Sequence, residues 1–512
     1  MTMLLSDVVS ILRDSGFLKA IMDSDGRPVD SNFKEDPVIK GISMDSREII
    51  PGSIFVCIRG NRYDGHDYAA DAARKGAVAL ISERTTEASV FHILVDDARK
   101  SIGHVSSVFY GKPSESLRMI AVTGTNGKTT SAFMMRSILS AAGEKAGLLG
   151  TVVYDTGSGA EVEAGRTTPE ANQIQKMLFE MGNNGCRSCV MEASSHGLTQ
   201  GRLSGCSFDA AIFTNLSSEH LDFHKSMDNY FAAKMTLFRD YMRTDKWVAA
   251  SNVEDPYGRS IKEKFPGAVV SFALEKKFDP DFLGEISSLS ISGVKLKIIP
   301  RQGKRTIELI LPLTGRFNAR NALGSAAVSL AMGLAPEIIK NGLENMPQVP
   351  GRLQRFPFSN GVTALIDYAH TPDALQNVLS SIREVCQGRI WVVFGSGGDR
   401  FKGNRPLMGR IAATLADRVV ITMDNPRSEE PEAIAVDILK GVKDTNGLHC
   451  SGIEVILDRK SAVFFALDQA SKGDAVLIAG KGPERNIIFS DRVIPYSDSD
   501  AILEWSENRG IE

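Results

Sequence analysis

Thr123-Gly124-Thr125-Asn126-Gly127-Lys128-Thr129-Thr130 follows an apolar run at 119–122 and precedes a helical pattern over 131–142. Glycines let backbone N–H groups turn toward a phosphate, and a helix N-terminus adds favourable partial charge. In this spacing Lys128 reaches the β- and γ-phosphates and the Thr129 hydroxyl ligates Mg²⁺, with Gly124, Thr125, Asn126, Gly127 and Thr130 as the cradle. The chemistry is ATP-dependent. The usual phosphate-loop pattern has a glycine five positions before Gly127, and Val122 stands there.

Such a loop needs a carboxylate or similar oxygen donor on a neighbouring strand. Glu192 ends the apolar run 189–191 and is followed by Ser194-Ser195-His196-Gly197. A second cluster, Thr214-Asn215-Leu216-Ser217-Ser218-Glu219-His220-Leu221-Asp222-Phe223-His224, lies just after another apolar run. It is dense in metal-capable and proton-transfer groups, but His220 and His224 lack the intervening glutamate of an H-E-x-x-H zinc helix. Read alone, these histidines are loop or core residues. Cys186 and Cys189 form a C-x-x-C with no second pair at zinc spacing, so they read as small buried thiols. Lys234, among alanines on a helical pattern, reads by itself as solvent-facing.

Elements at regular intervals must position these groups. Apolar strands are expected at 53–59 and 77–82, then 119–122, 188–191 and 210–213, then 363–367, 390–394, 418–422 and 475–479, alternating with helical stretches. That alternation implies α/β architecture with parallel sheets whose polar or glycine-rich strand ends face ligands. Turn-rich segments at 110–114 and 346–351 divide the 512 residues into three domains: 1–113, 114–348 and 349–512. The first twenty residues carry Asp7, Arg13, Asp14 and Lys19 at helical spacing, so they read as a helix and not as a signal peptide. A net charge of −3 offers no basic footprint for nucleic acid, and no apolar run reaches membrane-spanning length. A cytoplasmic protein without nucleic-acid or membrane partners is expected.

With its missing first glycine, Glu192 in Met-Glu-Ala-Ser-Ser-His-Gly-Leu, Gly315-Arg316-Phe317-Asn318-Ala319-Arg320-Asn321, Pro350-Gly351-Arg352 and Asp367-Tyr368-Ala369-His370-Thr371-Pro372, the chain resembles the Mur ligase family over nearly its whole length. These are ATP-dependent amide ligases of bacterial cell-wall synthesis. The resemblance implies a central phosphate-loop domain, flanked by an N-terminal UDP-binding α/β domain and a C-terminal Rossmann-like domain. It implies that Asn318 and Asn321 hold adenine, and that Arg352, Asp367 and His370 meet ATP when the domains close. It also implies that Lys234 is an N6-carboxylysine, which with Thr129, Glu192 and His220 holds Mg²⁺, so that Lys128, Glu192, His220 and Lys234 form the catalytic set.

Within the family the chain most resembles the members that add the third stem-peptide residue. Met44-Asp45-Ser46-Arg47 matches their uridine-binding motif, so Met44 and Ser46 are UDP-substrate residues by resemblance. Thr167, Thr168, Ser194, Gln200 and Arg202 match positions holding the muramoyl peptide; Arg166 stands where Asn is frequent, and Glu219 replaces a commoner Asp. Asp424-Asn425-Pro426-Arg427 matches the signature that accompanies meso-diaminopimelate, and Arg400, Gly480 and Glu484 match further positions at that amino acid, with Pro483 where His is frequent. The chemistry agrees: a planar guanidinium at 427 pairs with the distal carboxylate that diaminopimelate has and lysine lacks. The expected substrates are UDP-N-acetylmuramoyl-L-alanyl-D-glutamate, meso-diaminopimelate and ATP, with Mg²⁺, in a monomer. The alternatives are the same ligation with L-lysine or another diamino acid, and a nucleotide-binding assembly protein without catalysis.

Overall fold

A computed structural model describes every residue except 31, 32, 34, 35, 61, 62, 302–304, 444–448 and 512. The first helix spans only Leu5–Asp14 and does not run on to Ala20 as the spacing suggests. Gly16 adopts a φ of 74°, and the N–H groups of Gly16 and Phe17 return to the carbonyls of Arg13 and Leu12. This left-handed close ends the helix and leaves Leu18–Met22 to form a strand.

The chain forms two compact units, one of residues 1–283 and 323–342, the other of 284–322 and 343–512. In the first, an N-terminal sheet runs Leu18–Met22, Phe91–Val95, Ala77–Ser82, Ser53–Val56, Gly41–Ser43, parallel except for its first strand. The strand expected over 53–59 stops at Val56. The turn at 110–114 is packed: Pro113 opens the one-turn helix Pro113–Ser116 and is buried with Ser114. Gly103 and Gly205 let this layer approach the central one, since a Cβ on Gly103 would lie 2.3 Å from the Ser204 carbonyl oxygen.

Six adjacent parallel strands form the middle of the central sheet, in the order Ala146–Leu149, Ser188–Glu192, Arg118–Thr123, Ala210–Phe213, Val248–Asn252 and Val269–Ala273. Apart from Arg118, Val248 and Val270 these strands are buried throughout, which is why they read as apolar runs and not as alternating ones. The crossover from Arg118–Thr123 to its neighbours places Glu192 opposite Val122 and Phe213 opposite Thr123, so three strand ends meet at one edge.

In the second unit the sheet order is Arg352–Pro357, Thr363–Asp367, Ala475–Ala479, Ile390–Phe394, Arg418–Ile421, Gly452–Val455. Only the first pair is antiparallel. Asp367, the 395–400 loop, Asp424 and Gly480 all follow the carboxyl ends of these parallel strands, where open α/β sheets bind ligands.

Candidate functional site

The phosphate loop turns between the buried strand Arg118–Thr123 and the helix Lys128–Ala141, with Gly127 at its N-cap in a left-handed conformation. Val122 occupies the position of the missing glycine because it is still a strand residue, fully buried and paired with Glu192. The tight turn begins two residues later. Gly124 has a φ of 145°, and a Cβ there would meet the Thr214 hydroxyl at 1.9 Å. The Thr214-Asn215 segment braces the loop: Thr214 Oγ1 donates to the Asn126 carbonyl at 2.6 Å, and the Thr125 N–H donates to the Asn215 carbonyl at 2.8 Å.

Two lysines converge on this loop. Lys128 Nζ donates to the carbonyls of Gly124 and Thr125 at 3.1 and 2.7 Å. Lys234, on the helix Met227–Asp240, is 1% exposed and donates to the Gly124 carbonyl at 2.8 Å. The solvent-facing reading of Lys234 is therefore corrected: its helix face packs on the loop. Burial, and then the charge of Lys128, pushes its ammonium well below the ordinary lysine range. Tyr230, one turn earlier on the same helix, lies under Lys234 with 4.7 Å from Nζ to ring centroid, and its hydroxyl sits 3.2 Å from Thr125 Oγ1.

Glu192 is 1% exposed, and both its oxygens are held by one residue, Oε1 by the Thr151 N–H at 2.8 Å and Oε2 by the Thr151 hydroxyl at 3.0 Å. Thr151 in turn lies 3.1 Å from the Thr167 hydroxyl. Thr168 continues the chain: its hydroxyl donates to the Glu192 carbonyl at 2.8 Å and lies 2.9 Å from Ser194 Oγ, while its own carbonyl accepts from Arg202. Gln200 accepts from the same guanidinium at 2.6 Å, and Glu170 pairs with both Arg202 and Arg166. All the peptide-substrate candidates thus join one polar run beside Glu192, with exposed Arg166 at its end through Glu170.

His220 has a left-handed φ of 57° and remains partly exposed beside the loop. Its ring meets His196 edge-on at 4.8 Å. His224 is buried, stacked on Tyr230 at 4.9 Å, with Nε2 3.0 Å from Ser195 Oγ. Burial, then the neighbouring histidine charges, lowers His196 to about 4.

Met44 and Ser46 line a cleft of about 600 Å³ together with Arg166, Phe55 and Tyr68. Asp45 caps the short helix Ser46–Glu48 and pairs with exposed Arg47 at 2.6 Å, which holds its carboxyl below the usual range. Its wall mixes Met44, Phe55, Ile58 and two tyrosines with charged and polar side chains, among them Arg47, Glu48 and Asn172.

In the second unit, Asn318 and Asn321 are buried on the helix Arg316–Ala331, Asn318 donating to the Thr314 carbonyl at 2.8 Å. Asp367 accepts from the Leu353 N–H at 2.8 Å, and burial lifts its carboxyl to about 6. Arg352 stands over the Tyr368 ring at 5.2 Å, and His370 Nδ1 lies 2.7 Å from the Tyr368 carbonyl.

The Asp-Asn-Pro-Arg segment forms a built site. Arg427, at a φ of 53°, donates from Nη1 to the Gly398 carbonyl at 2.7 Å, while the Gly398 N–H donates to the Asn425 carbonyl. Gly398 must be glycine here, because a Cβ would sit 1.8 Å from the Pro426 carbonyl oxygen. Buried Arg405, bonded to Glu429 at 2.8 Å and facing the Gly397 carbonyl at 3.4 Å, anchors that loop and holds Glu429 down at about 2. Asn425 donates to Glu484 Oε2 at 2.8 Å. Lys481, which the sequence reading left unassigned, is fully buried among Asp424, Asn425 and Glu484. Gly480, at a φ of 110°, faces Asp424; Arg400 is exposed.

Three family models match in order: "Mur ligase family, catalytic domain" over residues 38–110, "Mur ligase middle domain" over 122–329, and "Mur ligase, glutamate ligase domain" over 351–482. The chain is 39% identical over 483 residues to the UDP-N-acetylmuramoyl-L-alanyl-D-glutamate–2,6-diaminopimelate ligase of Clostridium botulinum, covering 93% of this chain and 96% of that one. It is 40% identical over 480 residues to the ligase of the same name from Bacillus licheniformis, covering 92% and 96%. A solved structure of a UDP-N-acetylmuramoyl-L-alanyl-D-glutamate–2,6-diaminopimelate ligase superposes with a TM-score of 0.68 at 29% identity, covering 96% of this chain and all of that one.

Proposed function

The chain belongs to the Mur ligase family, and we propose that it joins meso-diaminopimelate to the D-glutamate of UDP-N-acetylmuramoyl-L-alanyl-D-glutamate. It is an ATP-dependent amide ligase with an α/β fold of the family's three-domain kind, and we draw the domain boundaries at 1–113, 114–348 and 349–512. The observation that carries the choice of amino acid is the linkage of Arg427 to Glu484 through Gly398 and Asn425 at one end of the C-terminal sheet. A guanidinium for a distal carboxylate beside a carboxylate for its ammonium matches the zwitterionic far end of diaminopimelate.

The reaction runs in two steps. The substrate γ-carboxylate attacks the ATP γ-phosphorus, forming an acyl phosphate and releasing ADP. The incoming amine then attacks the acyl carbon, an amide forms and phosphate leaves with the electron pair of the broken C–O bond. Lys128, freed from its loop carbonyls, turns to the transferred phosphoryl oxygens. Thr168, Ser194 and Arg202 orient the peptide carboxylate beside the loop.

Among the described residues no three His, Cys, Asp or Glu side chains form a metal cage. Thr129 and Glu192 offer oxygen donors, which suit Mg²⁺, an ion that keeps waters and phosphate oxygens and needs only one or two protein ligands. Thr129, Glu192, His220 and Lys234 would hold it, and it would supply charge neutralisation at the phosphates. Burial lowers the proton affinity of the Lys234 amine and so favours the neutral form that adds CO₂: a C–N bond forms, nitrogen loses a proton, and a carbamate oxygen donor results. No helix among the described residues is long and apolar enough to cross a membrane. A cytoplasmic monomer is part of this proposal. The test is product mass: with ATP, Mg²⁺, the dipeptide nucleotide and diaminopimelate, the nucleotide must gain one diaminopimelyl residue, and an unchanged mass refutes the reading.

A further inference from the structure

Lys481 is a cation inside the amino-acid cluster to which the reaction gives no task. Its side chain is fully buried, with Nζ 3.0 Å from Asn425 Oδ1, 3.1 Å from Glu484 Oε2 and 3.5 Å from Asp424 Oδ1. Asn425 Oδ1 also accepts the Ile488 N–H at 3.0 Å, and its amide donates to Glu484, so Lys481 fixes which way both side chains point. Tyr368 reaches the other Glu484 oxygen at 3.4 Å. The cluster is tied into the sheet ends by a buried ion pair: Arg459 binds Asp498 at 2.8 Å and donates to the carbonyls of Met423 and Ala479, the residues preceding Asp424 and Gly480.

The charges balance. Asp424 and Glu484 bring two negative charges, and Lys481 and Arg427 bring two positive ones, while Arg400 is exposed to water and outside this count. A neutral pocket suits a guest whose far end carries both an ammonium and a carboxylate. A guest with a lone ammonium would leave an uncompensated positive charge in a buried setting, which is strongly unfavourable.

We propose that Lys481 is a positioning and selectivity residue: its buried ammonium orients Asn425 and Glu484 and sets the pocket charge so that a zwitterionic far end is accepted over a lone cation. The proposal rests on the assignment of this pocket to diaminopimelate. Arg427 attracts the distal carboxylate; Lys481 makes the pocket refuse a guest without one.

The experiment compares kcat/KM for meso-diaminopimelate and for L-lysine in the full-length protein, unaltered and as Lys481→Met. Removing the buried charge lowers the diaminopimelate-to-lysine ratio by about tenfold or more, mainly through KM for the amino acid, with KM for ATP unchanged. The double variant Lys481→Met/Glu484→Gln restores neutrality and brings the ratio back toward that of the unaltered protein. Lys481→Gln, which keeps a donor for Asn425 but no charge, carries the same comparison should the methionine variant not fold. Parallel loss with both amino acids at a constant ratio overturns the proposal, because a merely structural role lowers both equally. Absence of diaminopimelate turnover by the unaltered protein instead refutes the assignment of the pocket, and the proposal with it.

Discussion

Lys128 and Lys234 donate to the same acceptor, the Gly124 carbonyl, at 3.1 and 2.8 Å. Two ammonium groups sharing one oxygen repel, and only one of them is buried. Burial first, and then the charge of Lys128, lowers Lys234 below the lysine range, and in the proposed enzyme Lys128 is the group left to meet phosphate. In the proposed enzyme, conversion of Lys234 to a carbamate turns that repulsion into an attraction. Lys234→Met is expected to leave nucleotide binding measurable and to lower kcat by at least about a hundredfold, the scale of losing a positioned electrostatic group. Parallel measurements of ATP affinity and turnover check this; a variant with near-normal kcat contradicts it.

Among the described residues, Thr151 is the side chain that grips both oxygens of the Glu192 carboxylate. Partners that orient a metal-binding carboxylate typically contribute about 10–100-fold in metal affinity. Thr151→Val should therefore raise the Mg²⁺ concentration for half-maximal activity by about that factor while leaving KM for the amino acid unchanged. A titration with an unaltered midpoint would show that Glu192 needs no such support.

Gly124→Ala forces a Cβ into the Thr214 hydroxyl at a φ of 145°. The expected loss is about 2–4 kcal/mol of stability, with nucleotide affinity reduced as the loop shifts. Urea denaturation and nucleotide titration read both. Stability equal to the unaltered protein would mean the loop is less constrained than its geometry implies.

How much of this was legible beforehand follows from where each signal lies. The phosphate loop and the strand-end Glu192 sit on local patterns of strand, glycine and helix, so their positions were readable directly. Lys234 misled because alanines beside a lysine look solvent-facing; only the close approach of its helix to Gly124 buries it. Thr151 and Lys481 carried no signal, since Glu192 lies 41 residues from Thr151, and Asp424 and Asn425 lie 57 and 56 from Lys481, separations that leave no spacing to read in the chain. The first helix was overextended because the apolar spacing continues past Gly16, whose backbone conformation decides where it stops.

Arg459 and Asp498 form a fully buried ion pair. Arg459→Met leaves Asp498 uncompensated and should lower stability by about 3–5 kcal/mol, whereas Arg459→Met/Asp498→Leu should recover much of it. Denaturant midpoints for the single and double variants decide the matter. A double variant as unstable as the single would show that the bonds to Met423 and Ala479, not the ion pair, dominate.

The carboxyl of Asp367 is lifted to about 6 from an ordinary 3.8. Between those values the folded chain retains a proton that the unfolded chain has released, so this group makes stability fall as pH rises through that window. Asp367→Asn cannot ionise and should remove that part of the slope. Denaturation midpoints at about pH 4 and pH 6 for both proteins measure it, and an identical slope would refute the attribution.

The central claim is that this chain joins diaminopimelate to a muramoyl dipeptide at the expense of ATP. Phosphate release tests it most directly, measured with UDP-N-acetylmuramoyl-L-alanyl-D-glutamate, ATP and Mg²⁺ plus meso-diaminopimelate, L-lysine or no amino acid. The account predicts release that depends on diaminopimelate, is at least about a hundredfold less efficient with lysine, and loses that preference in Arg427→Ala. Release that is equal with lysine, or absent with every amino acid, would contradict it.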